Sequence, residues 1–246
     1  MKIIKIKNIS DIKHRNSYIK KEVKKNGSVI LRGACKKKKT IETLKKIYKE
    51  LKSIKKIGTT SASKRTIRKL SCKWSIGGHS GAQLGLSRFM LTLYNPLFSE
   101  DKFKFRSEFQ KLIQLRDIIR DDGKSTIDKN LTGSFFNACR FQIYPSGGGF
   151  MLGHTDYAGV KNSKKVKNEY FQMLIFLTER GKDFKEGGAY LIHKKKRIDI
   201  EKFIQRGDIV VYDGKSFHGV SDIDPKTPFS EKNIKGRVVA LSTIYN

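Results

Sequence analysis

The sequence predicts a mainly β protein with a helical N-terminal half: a double-sheet jelly roll with helices packed outside one sheet. Three observations predict it. After about Leu131 the chain breaks into short segments rich in β-branched and aromatic residues, separated by turns of Gly, Asp and Lys. No helix-periodic stretch interrupts these segments, so strand follows strand, as in stacked antiparallel sheets. Before that point, apolar residues recur at helical spacing instead. A length of 246 residues suits one domain, with residues 1–132 as a mostly helical support region and 133–246 as the jelly-roll core.

Taking the elements in order, residues 2 to 7 roughly alternate and could add an edge strand. Between Thr40 and Leu51, the residues Ile41, Leu44, Ile47, Tyr48 and Leu51 form a helical stripe. Ser107 to Arg120 forms another with Phe109, Leu112, Ile113, Ile118 and Ile119. Both read as core-packing faces. Lys52 to Lys69, rich in Ser, Thr and Lys, reads as a surface loop rather than a lid. Strands are expected at Ser134–Tyr144, Tyr170–Thr178, Gly188–His193, Asp208–Tyr212, Ser216–Ile223 and Arg237–Tyr245.

Composition narrows the class. Hydrophobic residues at 37% and aromatics at 10% suffice for a core, which argues against wholesale disorder. No apolar run reaches the roughly 18 residues a membrane span needs. The start, MKIIKIKNIS, does not resemble a secretion signal. The expectation is therefore a soluble, cytoplasmic protein without a membrane span. Cys35, Cys72 and Cys139 are odd in number and lack metal-type spacing, so they read as buried thiols. The net charge of +30 would draw nucleic acid or acidic small molecules. Its basic runs (Lys36 to Lys39, Lys64 to Lys69, Lys161 to Lys167, Lys194 to Arg197) are scattered, however, and not interleaved with stacking aromatics. A lysine-rich solvated surface accounts for them, with an anionic substrate the next reading.

The chemistry concentrates in two segments. In Gly147 to Asp156, an extended chain puts His154 and Asp156 on the same side, so an imidazole and a carboxylate can meet one ion. In Gly207 to Val220, an apolar strand turns and returns to present His218. Two histidines and one carboxylate on one face make the facial triad of non-haem iron(II) oxygenases, which leaves coordination positions open. A third element is Arg237, which shares a strand face with Val239, Leu241 and Thr243. A guanidinium on an apolar face must find an anion, and its fork suits a carboxylate. In Arg140 to Tyr144, the polar Arg140, Gln142 and Tyr144 alternate with Phe141 and Ile143. If the apolar side packs on the helices, the polar side lines the cavity.

The runs CRFQIYPSGGGFMLGHTD, FKEGGAYLI, GDIVVYDGKSFHGV and GRVVALS, in that order over about residues 133 to 246, resemble the 2-oxoglutarate/iron(II) oxygenase superfamily. The similarity is nearest to its prolyl-hydroxylase-like and phytanoyl-hydroxylase-like members. The resemblance implies a double-stranded β-helix, with Fe(2+) on His154, Asp156 and His218 and with 2-oxoglutarate and O2 as cosubstrates. It implies that Arg237 pairs with the distal carboxylate of 2-oxoglutarate, and that Tyr144, with Gln142 beside it, faces the cosubstrate. Gly187 and Gly188 match the turn that opens a mid-barrel strand. From His218 to Arg237 is 237 − 218 = 19 residues, which an inserted loop from Asp222 to Lys235 would absorb. The implied reaction hydroxylates a C–H bond of a small substrate, releasing succinate and CO2; that the substrate is anionic is an expectation from Arg140 and the basic loops alone. Related halogenases have a small residue at the place of Asp156, so the carboxylate favours hydroxylation.

Softer substrate candidates are Arg140, Trp74 and His79, the last two in the segment Trp74 to Ser80. His193, before a basic run, reads as exposed, and His14 carries no case. Two other readings stay open: oxidative demethylation of nucleic acid by the same iron chemistry, and a basic polyanion-binding scaffold with an unused barrel. Steep salt dependence without iron dependence would mark the scaffold.

Overall fold

The computed structural model describes residues 1–53, 74–76, 87–121, 125–127, 136–156, 170–232 and 234–245, with only the backbone at 74–76, 87, 88, 136 and 245. Four helices are present among them: α1 (Ser10–Lys13), α2 (Asn16–Asn26), α3 (Lys37–Ser53) and α4 (Arg106–Arg120). The strands are β1 (Lys2–Lys5), β2 (Ser28–Arg32), β3 (Trp74–Ile76), β4 (Ser87–Arg88), β5 (Leu91–Tyr94), β6 (Phe136–Pro145) and β7 (Gly149–His154). They continue with β8 (Phe171–Phe176), β9 (Gly188–His193), β10 (Lys196–Asp199), β11 (Ile209–Asp213), β12 (Phe217–Ile223) and β13 (Gly236–Tyr245).

The strands form an eight-stranded sheet, β1-β2-β11-β8-β13-β6-β5-β3, and a five-stranded sheet, β10-β9-β12-β7-β4. From β6 onward the chain passes back and forth between the sheets, which makes the centre a jelly roll. Its two halves are β11-β8-β13-β6 and β10-β9-β12-β7, and every pairing within them is antiparallel.

Alternation along the strands assigns each residue a layer. On β11, Ile209 and Val211 join the cluster that packs under the helices, whereas Val210 and Tyr212 join the cluster between the sheets. On β13, Val238 and Ala240 go out and Val239 and Leu241 go in. The expectation for β6 holds in the same way: Phe141 and Ile143 pack with Phe103, Phe105, Phe109 and Ile113 of the helical layer. Helix α4 is begun by Asp101, whose carboxylate accepts from the N–H groups of Phe105 (2.8 Å) and Arg106 (3.0 Å). It ends on Asp121 in a left-handed conformation, φ 58°.

The helical N-terminal half is where the expectation fails. The segment before Leu131 supplies β1, β2, β3 and β5 to the large sheet and β4 to the small one. Of these, β1 is the edge strand expected at residues 2 to 7; the other four, two to five residues long, were not expected. The loop read at Lys52 to Lys69 lies outside the described residues apart from Lys52 and Ser53, which end α3. No described helix is long and apolar enough to cross a membrane.

Candidate metal centre

Strands β7 and β12 are antiparallel neighbours in the small sheet, and His154 and His218 are direct cross-strand partners. Met151 pairs with Val220 in the same ladder, with a register shift between that pair and the histidines. Three residues of β7 thus span what two residues of β12 span, so β7 carries one extra residue, a β-bulge. The bulge decides the site. Met151 packs against the inter-sheet cluster, and in a regular strand a residue three places on would face away. The extra residue turns His154 back towards His218, with ring centroids 4.5 Å apart.

Asp156 follows two residues after His154. Its carboxylate lies 3.7 Å from His154 Nε2 and 3.4 Å from His218 Nε2. One ligand atom from each of the three falls within 4.8 Å of the others, a spacing that a single ion can bridge at about 2.0–2.2 Å per bond. Both rings are oriented by their far nitrogens. His154 Nδ1 is 2.9 Å from the Leu152 carbonyl and His218 Nδ1 is 2.9 Å from that of Ser216. A carbonyl can only accept, so each Nδ1 carries the proton and each Nε2 offers a lone pair to the centre. Burial lowers the pKa of His218, and the neighbouring His154 adds to the effect. Asp156 and the Ser216 carbonyl oppose it. The neutral imidazole a metal requires is thereby favoured.

Tyr212, on β11 of the opposite sheet, reaches into this cluster. Its hydroxyl is 3.2 Å from Asp156 Oδ2 and 3.1 Å from His218 Nε2. Burial, then the charge of Asp156, raises its pKa well above the usual value, so it stays a phenol with one proton to donate. With His218 Nε2 committed to a metal, that proton goes to the carboxylate.

Arg237 is 1% exposed and stands at the start of β13 opposite Tyr144 of β6, which settles its register. Its guanidinium carbon is 4.9 Å from the Phe176 ring centroid and 5.3 Å from that of Tyr144. The anion it was expected to need is partly supplied by the chain itself. Arg237 Nε donates to Glu201 Oε2 at 3.0 Å, and the Glu201 side chain is fully buried. Arg237 Nη2 and Glu201 Oε1 have no hydrogen-bond partner among the described residues. Tyr144 donates to Gln142 Oε1 at 3.2 Å. Burial pushes its pKa up to about 12, while Arg237 and Arg140 pull it down and Asp156 and Glu201 push it up.

The structure thus brings His154, Asp156, His218, Tyr144, Gln142 and Arg237 to one side of the inter-sheet space. Arg140 is half-buried on the same face of β6, with Nη1 3.4 Å from the Ala138 carbonyl. The Trp74 side chain, His79 and Cys72 lie outside the described residues. Cys35 and Cys139 are buried thiols, as expected. His193 is half-buried rather than exposed, with Nε2 3.0 Å from the Lys25 carbonyl. Sequence reasoning missed Tyr212 and Glu201. Tyr212 carried a usable signal, an inward position six residues before His218 at the end of an apolar strand. Glu201 carried none, because its partner is 36 residues away.

No family model matches the sequence, and no curated protein matches it either. Solved structures do match its fold. A prolyl hydroxylase from Trichoplax adhaerens, in complex with a hypoxia inducible factor oxygen degradation domain peptide, superposes with a TM-score of 0.57 at 12% identity, covering 95% of this chain and 90% of that one. A Pseudomonas putida prolyl-4-hydroxylase gives 0.55 at 11% identity, covering 94% and 99%. The non-haem α-ketoglutarate-dependent epimerase SnoN of nogalamycin biosynthesis gives 0.55 at 10%, covering 94% and 83%. At these identities it is the fold that is shared: this chain has the jelly-roll fold of these two prolyl hydroxylases and of the epimerase.

Proposed function

We propose that this protein is an iron(II)- and 2-oxoglutarate-dependent oxygenase that hydroxylates a C–H bond of a small, anionic substrate. The observation that carries the reading is the cluster His154, Asp156 and His218, with both Nε2 atoms turned inward and a carboxylate between them. This donor set suits iron(II) and leaves three positions open. Arg237 Nη2, buried and without a partner among the described residues, supports a carboxylate-bearing cosubstrate.

Bound iron(II) and 2-oxoglutarate would supply oxygen activation coupled to decarboxylation of the keto acid to succinate. The residues of this chain do the rest. His154, Asp156 and His218 hold the metal, and the Leu152 and Ser216 carbonyls fix both rings. Tyr212 donates to Asp156 Oδ2 and keeps the carboxylate turned to one side. Arg237 receives the distal carboxylate of the keto acid, and Tyr144 lines the space between the two ends. The Phe176 and Tyr144 rings stand beside the buried Arg237 guanidinium, and such low-dielectric walls strengthen its pull on an anion. Arg140, on the Tyr144 face of β6, favours an anionic substrate.

The test is succinate release from 2-oxoglutarate under air with added iron(II). The expected result is turnover that a chelator abolishes and that His154→Ala and His218→Ala both lose. Iron-independent turnover, or none with folded and iron-loaded protein, would overturn the reading. A substrate screen coupled to the same assay should favour carboxylates, and a preference for cations would sink the anionic assignment.

A further inference from the structure

A dicarboxylic keto acid cannot simply be added to the pocket around Arg237, because an acid is already there. Glu201 opens the short 3-10 turn after β10. Its Oε2 accepts from the Ala189 N–H at 2.9 Å and from Arg237 Nε at 3.0 Å. The fold makes room for it at Gly188, where a Cβ would lie 2.6 Å from Glu201 Cγ. As it stands, the pair is one cation and one anion, both fully buried, and electrically neutral.

Bringing in a second carboxylate would leave two anions on one guanidinium between Phe176 and Tyr144. An uncompensated buried charge is costly. The atoms left without partners show how the cost is met. Among the described residues, Arg237 Nη2 is a donor lacking an acceptor, and Glu201 Oε1 is an oxygen lacking a donor. If Oε1 takes a proton from solvent, both become donors, and a carboxylate has two oxygens to receive them. Oε2 keeps its two hydrogen bonds unchanged.

Resting on the proposed cosubstrate, we infer that Glu201 is a positioning residue for Arg237 and takes up one proton when the distal carboxylate of 2-oxoglutarate binds. Among the described residues, the groups that face it are Arg237 from β13 and Tyr144 from β6. β9 presents the backbone of Gly188 and Ala189, and Arg180, which donates to the carbonyl of Gly187 just before β9, is already paired with Asp199. Binding then tightens as pH falls, by up to about tenfold per unit where one proton is taken up.

The experiment is calorimetry on protein loaded with zinc(II), a redox-inert metal, in two buffers of different ionisation enthalpy near neutral pH. The titrants are 2-oxoglutarate and pyruvate, which shares the keto-acid head but has no distal carboxylate. The expected result is about one more proton taken up per 2-oxoglutarate than per pyruvate, and no such excess in Glu201→Gln. Binding of 2-oxoglutarate without excess uptake would overturn the inference and leave the cosubstrate reading standing, as would an excess that persists in Glu201→Gln. Failure of both keto acids to bind would overturn both. Should Glu201→Gln not fold, the comparison of the two keto acids on the unaltered protein decides alone.

Discussion

Replacing Arg237 by methionine should be among the most destabilising single changes in this protein. The substitution keeps an unbranched side chain against Phe176 and Tyr144 but removes the only cation among the described residues that is hydrogen-bonded to Glu201. Glu201 would then be a fully buried carboxylate with one hydrogen bond, from the Ala189 N–H. Removing one partner of a buried ion pair costs about 3–5 kcal/mol, because the other is left uncompensated. In a chain of this length about 1 kcal/mol moves the melting temperature by 2–4 °C, so the drop should be roughly 6–20 °C. The deficit should grow with rising pH, because protonation removes the stranded charge at low pH. Adding Glu201→Gln should recover much of the loss, since removing both charges avoids the stranded ion. Urea unfolding of the metal-free protein, followed by circular dichroism for the wild type, both single variants and the double variant, gives the coupling. A single-variant cost under about 1 kcal/mol, or a double variant as unstable as the sum of the two, would refute the reasoning.

Three more outcomes follow from the site. Tyr212→Phe removes the hydrogen bond to Asp156 Oδ2 while keeping the ring, so iron(II) affinity should fall about tenfold with the fold intact, read by competition with a chelator; unchanged affinity would remove Tyr212 from the site. At Gly219, beside His218, a Cβ would lie 2.6 Å from the Tyr190 hydroxyl and 2.8 Å from the Met151 carbonyl. Gly219→Ala should therefore cost about 1–3 kcal/mol and weaken metal binding, and a stable, tightly binding variant would contradict the packing. The lowered pKa of His218 lies below its unfolded value of 6.5. The unfolded chain therefore takes up that proton first, and metal-free stability should fall as pH drops below about 6.5. His218→Gln should flatten this decline, and an unchanged slope would show that other groups cause it.

How much of this was legible in the sequence depended on where each residue sits. Six of the eight jelly-roll strands were readable because they are rich in β-branched and aromatic residues and, in β6, β8, β11 and β13, largely buried; Gly188–His193 coincides with β9, and the others agree within two residues, whereas β7 was read only as an extended segment around the ligands. The two histidines and Asp156 were readable because ligands two residues apart on an extended chain leave a local pattern. Strand β10 was not, because Lys196–Asp199 is a charged, largely exposed edge without apolar alternation. Helix α2 was missed because it buries only Ile19 and Val23, one stripe contact per turn. The β7 bulge and the Arg237–Glu201 pair arise from cross-strand and long-range geometry. Arg237 could be seen to need an anion, yet not that the chain supplies one of its own.

The most direct test of the central claim is anaerobic titration of the metal-free protein with iron(II) and then 2-oxoglutarate, watching the visible spectrum. A weak charge-transfer band that appears on adding the keto acid and is lost in His154→Ala is the predicted result. Folded, fully iron-loaded protein that shows no band would contradict keto-acid chelation at His154, Asp156 and His218.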